Sequence, residues 1–224
     1  MKTIQEYFWP LLSALLVLFV VTTMVMQRLA TRFFTMGKVR QSFTIFDLEF
    51  PSKSSELMKI LKGIDELPSR EEAVNSKRAL RAHLTLDFLF MLAIYPLIFL
   101  LCWKTSMKME WTGKWLFKGL AVAQALPLIF DVAENIYLLR KLANPEKSSK
   151  GVHRAYLRIV LSKWIIALVG LVCAAFGLLY FWVTGLYSRE SLPWIFGLVG
   201  GLILIIIVAK VAKRELKPDK ASAP

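Results

Sequence analysis

The chain has 224 residues, of which 56% are hydrophobic, and its formal net charge is +13. Its apolar residues are gathered in long runs, which excludes an ordinary soluble domain and indicates a membrane protein with short loops. In such a protein a basic composition reflects Lys and Arg in cytoplasmic loops and attraction to anionic lipid, so we do not expect nucleic acid binding.

Five apolar runs predict an all-α, polytopic bundle of transmembrane helices. Each run is close to the roughly 20 residues that a helix needs to cross the hydrocarbon layer. The first run is interpreted as an uncleaved span because it is long for a signal peptide and no small-residue cleavage site follows it. The predicted spans are residues 8–27, 84–103, 116–139, 161–183 and 193–209.

The distribution of Lys and Arg predicts the orientation of the bundle. With alternating spans, 22 of these residues lie on one side of the membrane and six on the other. The positive-inside rule then places the N-terminus outside and the C-terminus in the cytoplasm, with anionic lipids of the inner leaflet as expected partners. We expect the protein in the plasma (inner) membrane. The predicted regions are a first transmembrane helix (1–27), a basic cytoplasmic segment (28–83), a four-helix region (84–209) and a basic cytoplasmic tail (210–224).

The segment 28–83 is the only sizeable part predicted to lie outside the membrane. Residues 44–50 (TIFDLEF) alternate apolar and polar side chains, which predicts a short extended piece with Asp47 and Glu49 on one face. Residues 56–67 predict an amphipathic helix that lies in the headgroup layer or packs on the bundle. The second spanning helix is expected to start near residue 70, where Ser69 and Glu72 have capping-box spacing.

Ionisable side chains within the predicted spans are the candidate functional residues, since such groups are expensive at membrane depth. Three predicted spans place such groups near the cytoplasmic boundary: Asp87 on the second span, Asp131 and Glu134 beside Asn135 on the third, and Lys163 on the fourth. His83 lies just before the second span, four residues from Asp87 and on the same helical face. The third-span residues are spaced i, i+3, i+4 and so share one helical face. We therefore expect one cluster with more acids than bases.

This acid excess leaves several interpretations open. A carboxyl group in the cluster is protonated, is paired with an arginine at the rim, or belongs to a cation or proton site. A metal site would draw on His83, Asp87, Asp131 and Glu134, because carboxylates and imidazole are ligands for divalent metals. A further interpretation is a purely structural role, in which the cluster holds the helices together.

Other residues predict features of packing. Gly197 and Gly201 form a G-x-x-x-G face in the fifth span, which favours close helix packing and offers a surface for an oligomer. Pro96 and Pro127 lie inside the second and third spans and predict kinks.

Four short stretches resemble a family of small, uncharacterised multi-spanning membrane proteins. They are FDLEF (46–50), LDFLF followed by YP (86–96), DVAEN (131–135) and SKW (162–164). The resemblance spans residues 44–170 and implies that Asp87, Asp131, Glu134, Asn135 and Lys163 belong to one family site. It implies no reaction and no cofactor.

The sequence thus predicts an integral membrane protein with a charged cavity at the cytoplasmic leaflet. The cavity would bind a cation, a proton or a polar headgroup in transport or regulation. One alternative is a membrane-embedded enzyme that modifies lipid, with His83 or a carboxylate as general base. Another is a non-catalytic accessory or assembly protein whose charged cluster is structural.

Overall fold

The protein is described here by a computed structural model, which covers residues 7–185, Gly200 and Ile203. This part of the chain is all-α apart from one small hairpin, as the sequence predicts. Its helices are α1 (Phe8–Ala30), α2 (Ile45–Glu49), α3 (Ser54–Asp65), α4 (Arg70–Ser106), α5 (Trp111–Ala123), α6 (Ala125–Ala143) and α7 (Lys150–Val183), and its strands are β1 (Phe34–Met36) and β2 (Arg40–Ser42).

Four long helical stretches are apolar enough to cross a membrane. They are α1, α4, the α5–α6 pair over Trp111–Ala143, and α7. Each contains one of the first four predicted spans. The fifth predicted span, 193–209, and the tail 210–224 lie outside the described residues except for Gly200 and Ile203.

The third span is divided in two at Gln124, where α5 ends and α6 begins. Pro127 explains the position of the break, because a proline lacks an N–H and its ring clashes with the carbonyl four residues earlier, here Ala123. The side-chain amide of Gln124 donates through Nε2 to the carbonyl oxygens of Leu120 (3.2 Å) and Ile166 (3.4 Å). The second of these bonds links the break to α7. Helix α4, by contrast, continues through Pro96.

Residues 31–69 form a compact unit between the first two spans, which we call the cap. Its β-hairpin pairs Phe34 with Ser42 and Met36 with Arg40, and was not predicted. The prediction of an extended piece over 44–50 is wrong, since Ile45–Glu49 is the short helix α2. The Asp47 carboxylate starts this helix by accepting hydrogen bonds from the Thr44 backbone N–H (2.7 Å) and hydroxyl (2.8 Å).

The amphipathic helix of the cap is present as α3 and packs on protein. Its buried stripe of Leu57, Leu61 and Ile64 joins hairpin residues and the first turns of α4 in one hydrophobic cluster, which extends to α6 and α7. A second hydrophobic cluster joins α1, α4, α5 and α7 at the other end of the bundle. Helix α4 begins at Arg70, as predicted, with Ser69 in the N-cap position but without a side-chain cap bond.

We predict that Gly63→Ala destabilises the cap. A β-carbon at Gly63 would overlap the Met36 carbonyl oxygen and the Thr35 hydroxyl of β1. The overlap with the Met36 backbone can be relieved only if the backbone moves. The expected loss is about 1–3 kcal/mol of unfolding free energy, the usual cost of overpacking. Thermal unfolding in detergent measures it.

The matched control is Gly119→Ala in α5, where an added β-carbon would meet nothing within 4 Å. Because alanine favours the helix over glycine by about 1 kcal/mol, this variant should be neutral or slightly more stable. Equal unfolding temperatures for the two variants would contradict the packing of α3 on the hairpin.

Candidate functional site

Lys163 is the centre of a buried ionic network. Its side chain is 5% exposed, and its Nζ lies 2.7 Å from Asp131 Oδ1, 2.6 Å from Glu134 Oε2 and 3.5 Å from Glu49 Oε1. The Glu134 contact is an ion pair. Asp131 and Glu134 face α7 together because they are three residues apart on α6. One ammonium group thereby joins α7, α6 and the cap.

Polar partners hold the carboxylates in place. The Tyr95 hydroxyl donates to Asp131 Oδ2 at 2.7 Å, and the Trp164 indole N–H donates to Glu49 Oε2 at 3.0 Å. The Asn135 amide donates to Asp87 Oδ2 at 2.6 Å and to the Leu84 carbonyl oxygen at 3.4 Å. We call the set of Lys163, Glu49, Asp87, Asp131, Glu134, Tyr95, Asn135 and Trp164 the Lys163 cluster.

The cluster occupies a layer between the two hydrophobic clusters of the bundle. Asp87 on α4 and Lys163 on α7 fall in sequence between residues of one hydrophobic cluster and residues of the other. Asp131 and Glu134 fall between the α5 residues of one cluster and the α6 residues of the other. Along the helix axes the Lys163 cluster is therefore flanked by apolar packing on both sides. Charged groups in such a layer interact strongly and are costly when they lack a partner.

Within the cluster, acids outnumber bases. Four carboxyl groups stand against one ammonium group among the described residues, and Asp87 has no ion-pair partner there. Glu49 is the member that comes from outside the spanning helices. Burial raises the pKa of the Glu49 carboxyl above its ordinary value, against the opposing attraction of Lys163.

His83 lies apart from Lys163. Its Nδ1 is 3.1 Å from the Met26 carbonyl oxygen of α1, and its ring packs edge-on against Phe33 of the cap. In the part of the chain that the structure describes, no group of three or more His, Cys, Asp or Glu side chains is placed to hold a metal ion. That part offers a carboxylate–lysine network and no set of metal ligands.

Two neighbouring cavities border the Lys163 cluster. The larger has a volume of about 590 Å³ and lies between α1, α4 and the cap, with Asp87, Glu49, Asn135 and His83 in its wall. The smaller, about 110 Å³, is bounded by Tyr95, Asp131 and Lys163 among others. The wall residues common to both cavities are Glu49, Asp87, Phe90 and Trp164.

Sequence reasoning missed three members of the cluster. Tyr95 carried a signal, since a phenol in the middle of a span needs a hydrogen-bond partner. Glu49 was assigned to a face shared with Asp47, but in a helix residues two apart point to different sides, so Asp47 is exposed and Glu49 buried. Trp164 follows Lys163 directly and was noted only within the SKW stretch.

Comparisons with known proteins find no relative of this chain. No protein-family model matches the chain, and neither curated proteins nor solved structures give a match. The family resemblance of the short stretches stays a prediction. The four long apolar helices indicate an integral membrane protein. Its described part contains a buried salt-bridge cluster around Lys163.

We predict that Lys163→Met destabilises the protein strongly. The change leaves Asp131 and Glu134 buried without their cation, and breaking a buried ion pair on one side costs about 3–5 kcal/mol. The unfolding free energy in mixed detergent micelles measures the loss.

The matched control is Lys77→Met, which breaks the ion pair with Asp65 at the surface. These side chains are 33% and 51% exposed, so the expected loss is below about 1 kcal/mol. Similar small losses for both lysine variants would show that Lys163 does not stabilise the bundle.

Proposed function

We propose that this protein binds a proton, a cation or a cationic polar headgroup in the Lys163 cluster, as part of transport or regulation at the cytoplasmic leaflet. The observation that carries the proposal is the excess of buried carboxyl groups over the single ammonium group. Burying uncompensated charge is strongly unfavourable, so the excess acids require protons or an incoming cation. A site with this requirement responds to pH and to cations.

The position of Asp87 supports the proposal further. Asn135 donates to one of its carboxylate oxygens, yet no described Lys, Arg or His forms an ion pair with it. Asp87 also lies in the walls of both cavities. A carboxylate that borders open space, has one neutral donor and lacks a cation is suited to receive a positive ligand.

The cytoplasmic placement rests on the charge of the loops. The segments that adjoin α4, α6 and α7 at the ends nearest the Lys163 cluster are rich in Lys and Arg. The positive-inside rule favours the cytoplasm for these segments. The same basic segments would attract anionic lipid of the inner leaflet. The Lys163 cluster would then lie about one to two helical turns below the cytoplasmic surface of the membrane.

The proposal predicts a stability that depends on pH and on cations. Raising the pH from 5 to 9 removes protons from excess carboxyl groups, so the unfolding temperature of the wild type should fall and added cations should restore part of it. Glu134→Gln removes one excess acid and should show a flatter profile. Thermal unfolding of the detergent-purified protein, with and without sodium and magnesium, measures both.

Glu71→Gln is the control, because Glu71 is an exposed residue at the start of α4. It should keep the wild-type profile. Flat profiles for the wild type and both variants would mean a permanently compensated network, which contradicts binding and favours the structural, accessory role of the cluster.

A further inference from the structure

Resting on the function proposed above, we infer that the ligand of this site is an amphiphilic amine: a positively charged nitrogen head at Asp87 and Glu49, with an apolar part in the larger cavity. The inference rests on the lining of that cavity, on its size and on the helices that bound it.

The lining of the larger cavity has one sign of charge. Glu49 and Asp87 are the acids in its wall, and none of the described residues that line it is Lys or Arg. Lys163, behind the wall, pairs with Glu49 but forms no ion pair with Asp87. The chain as a whole carries 29 Lys and Arg against 16 Asp and Glu, so an acid-only wall runs against its composition. Charge complementarity therefore favours a cation and opposes an anionic headgroup.

Most of the remaining wall surface is apolar. Phe43, Phe46, Phe90 and Trp164 contribute rings, and apolar side chains of α1, α2 and α4 extend this surface beside a few polar ones. Aromatic faces attract cations, most strongly where water is excluded. They also accommodate a hydrocarbon chain. The wall therefore suits both ends of an amphiphile.

The volume of the larger cavity suits an organic ligand better than a bare ion. A cavity of about 590 Å³ lies within the range of roughly 300–1,000 Å³ that organic ligands occupy. A metal ion or an ammonium ion would leave most of this volume without contacts to the bound ligand. An organic cation with an apolar body would contact the carboxylates with its head and fill the rest of the cavity with its apolar part.

Hydrogen-bonding groups for the head are present in the same wall. A primary ammonium group has three N–H donors. Asp87 and Glu49 are ionic acceptors, and Gln27 of α1 adds a buried amide oxygen that has no hydrogen-bond partner. The Trp164 indole, which donates to Glu49, keeps that carboxylate in the wall.

Two spanning helices form part of the wall of the larger cavity. Two of the cavity walls are α1, through Thr23 and Met26, and α4, through Leu84 and Phe90. Both helices are long and apolar enough to span the membrane. A cavity bounded by these two helices borders the membrane layer, in which a single-chain amphiphile is concentrated.

Binding of dodecylamine to the protein in lipid nanodiscs tests the inference. Dodecylamine should raise the unfolding temperature of the wild type in a saturable way, whereas dodecanol and ethylamine at the same concentrations should not. In Asp87→Asn the affinity should fall at least about tenfold, which corresponds to about 1.4 kcal/mol. Asp65→Asn, a change at an exposed acid paired with Lys77, should leave it unchanged.

Ala30→Leu provides a second variant that keeps every charge. Ala30 lies in the wall of the larger cavity, so a larger side chain there should block dodecylamine while the pH response of the Lys163 cluster remains. Ala30→Leu also tests binding in the cavity if Asp87→Asn does not fold.

Three results would overturn the inference: no saturable effect of dodecylamine, an equal effect of dodecanol, or unchanged affinity in both cavity variants. If dodecylamine fails while pH and simple cations still shift the wild type but not Glu134→Gln, the amine is wrong and the proposed function stands. If dodecylamine has no effect and neither pH nor simple cations shift the wild type, the amine inference and the proposed function are both wrong.

Discussion

One buried ammonium group holds together parts of the chain that are far apart in sequence. Lys163 of α7 contacts Asp131 and Glu134 of α6 and Glu49 of the cap, and Tyr95 of α4 is joined to it through Asp131. In a membrane no hydrophobic force drives helices together, so polar contacts and close packing determine how they associate. The relative positions of α4, α6, α7 and the cap depend on this group.

The face of α7 that carries Lys163 also has small residues, which let the neighbouring helices come close enough for these contacts. Gly170 and Gly177 follow Lys163 at intervals of seven residues and so lie on one face of the helix. Gln124 packs against Gly170, and Thr105 against Gly177. Small residues on one helix thus receive polar or branched side chains from its neighbours. The charged layer and the small-residue layers form one continuous interface.

Much of the bundle and the core of the site could be predicted from the sequence. Runs of apolar residues determine where helices cross lipid, and the i, i+3, i+4 spacing of Asp131, Glu134 and Asn135 determines which face is polar. The contribution of the cap could not be predicted in this way. Glu49 reaches Lys163 only because Thr44 and Asp47 start a helical turn in a stretch whose alternation favours a strand. The hairpin likewise depends on packing against α3, which local sequence does not specify.

The central claim is that the excess buried carboxyl groups take up protons or a cation. Infrared difference spectroscopy of the reconstituted protein tests it most directly, because a protonated carboxyl group has its own C=O stretch. The account predicts such a band in the wild type near neutral pH, weaker in Glu134→Gln and reduced when a cationic ligand binds. A wild type with no protonated carboxyl group and no response to cations would contradict it.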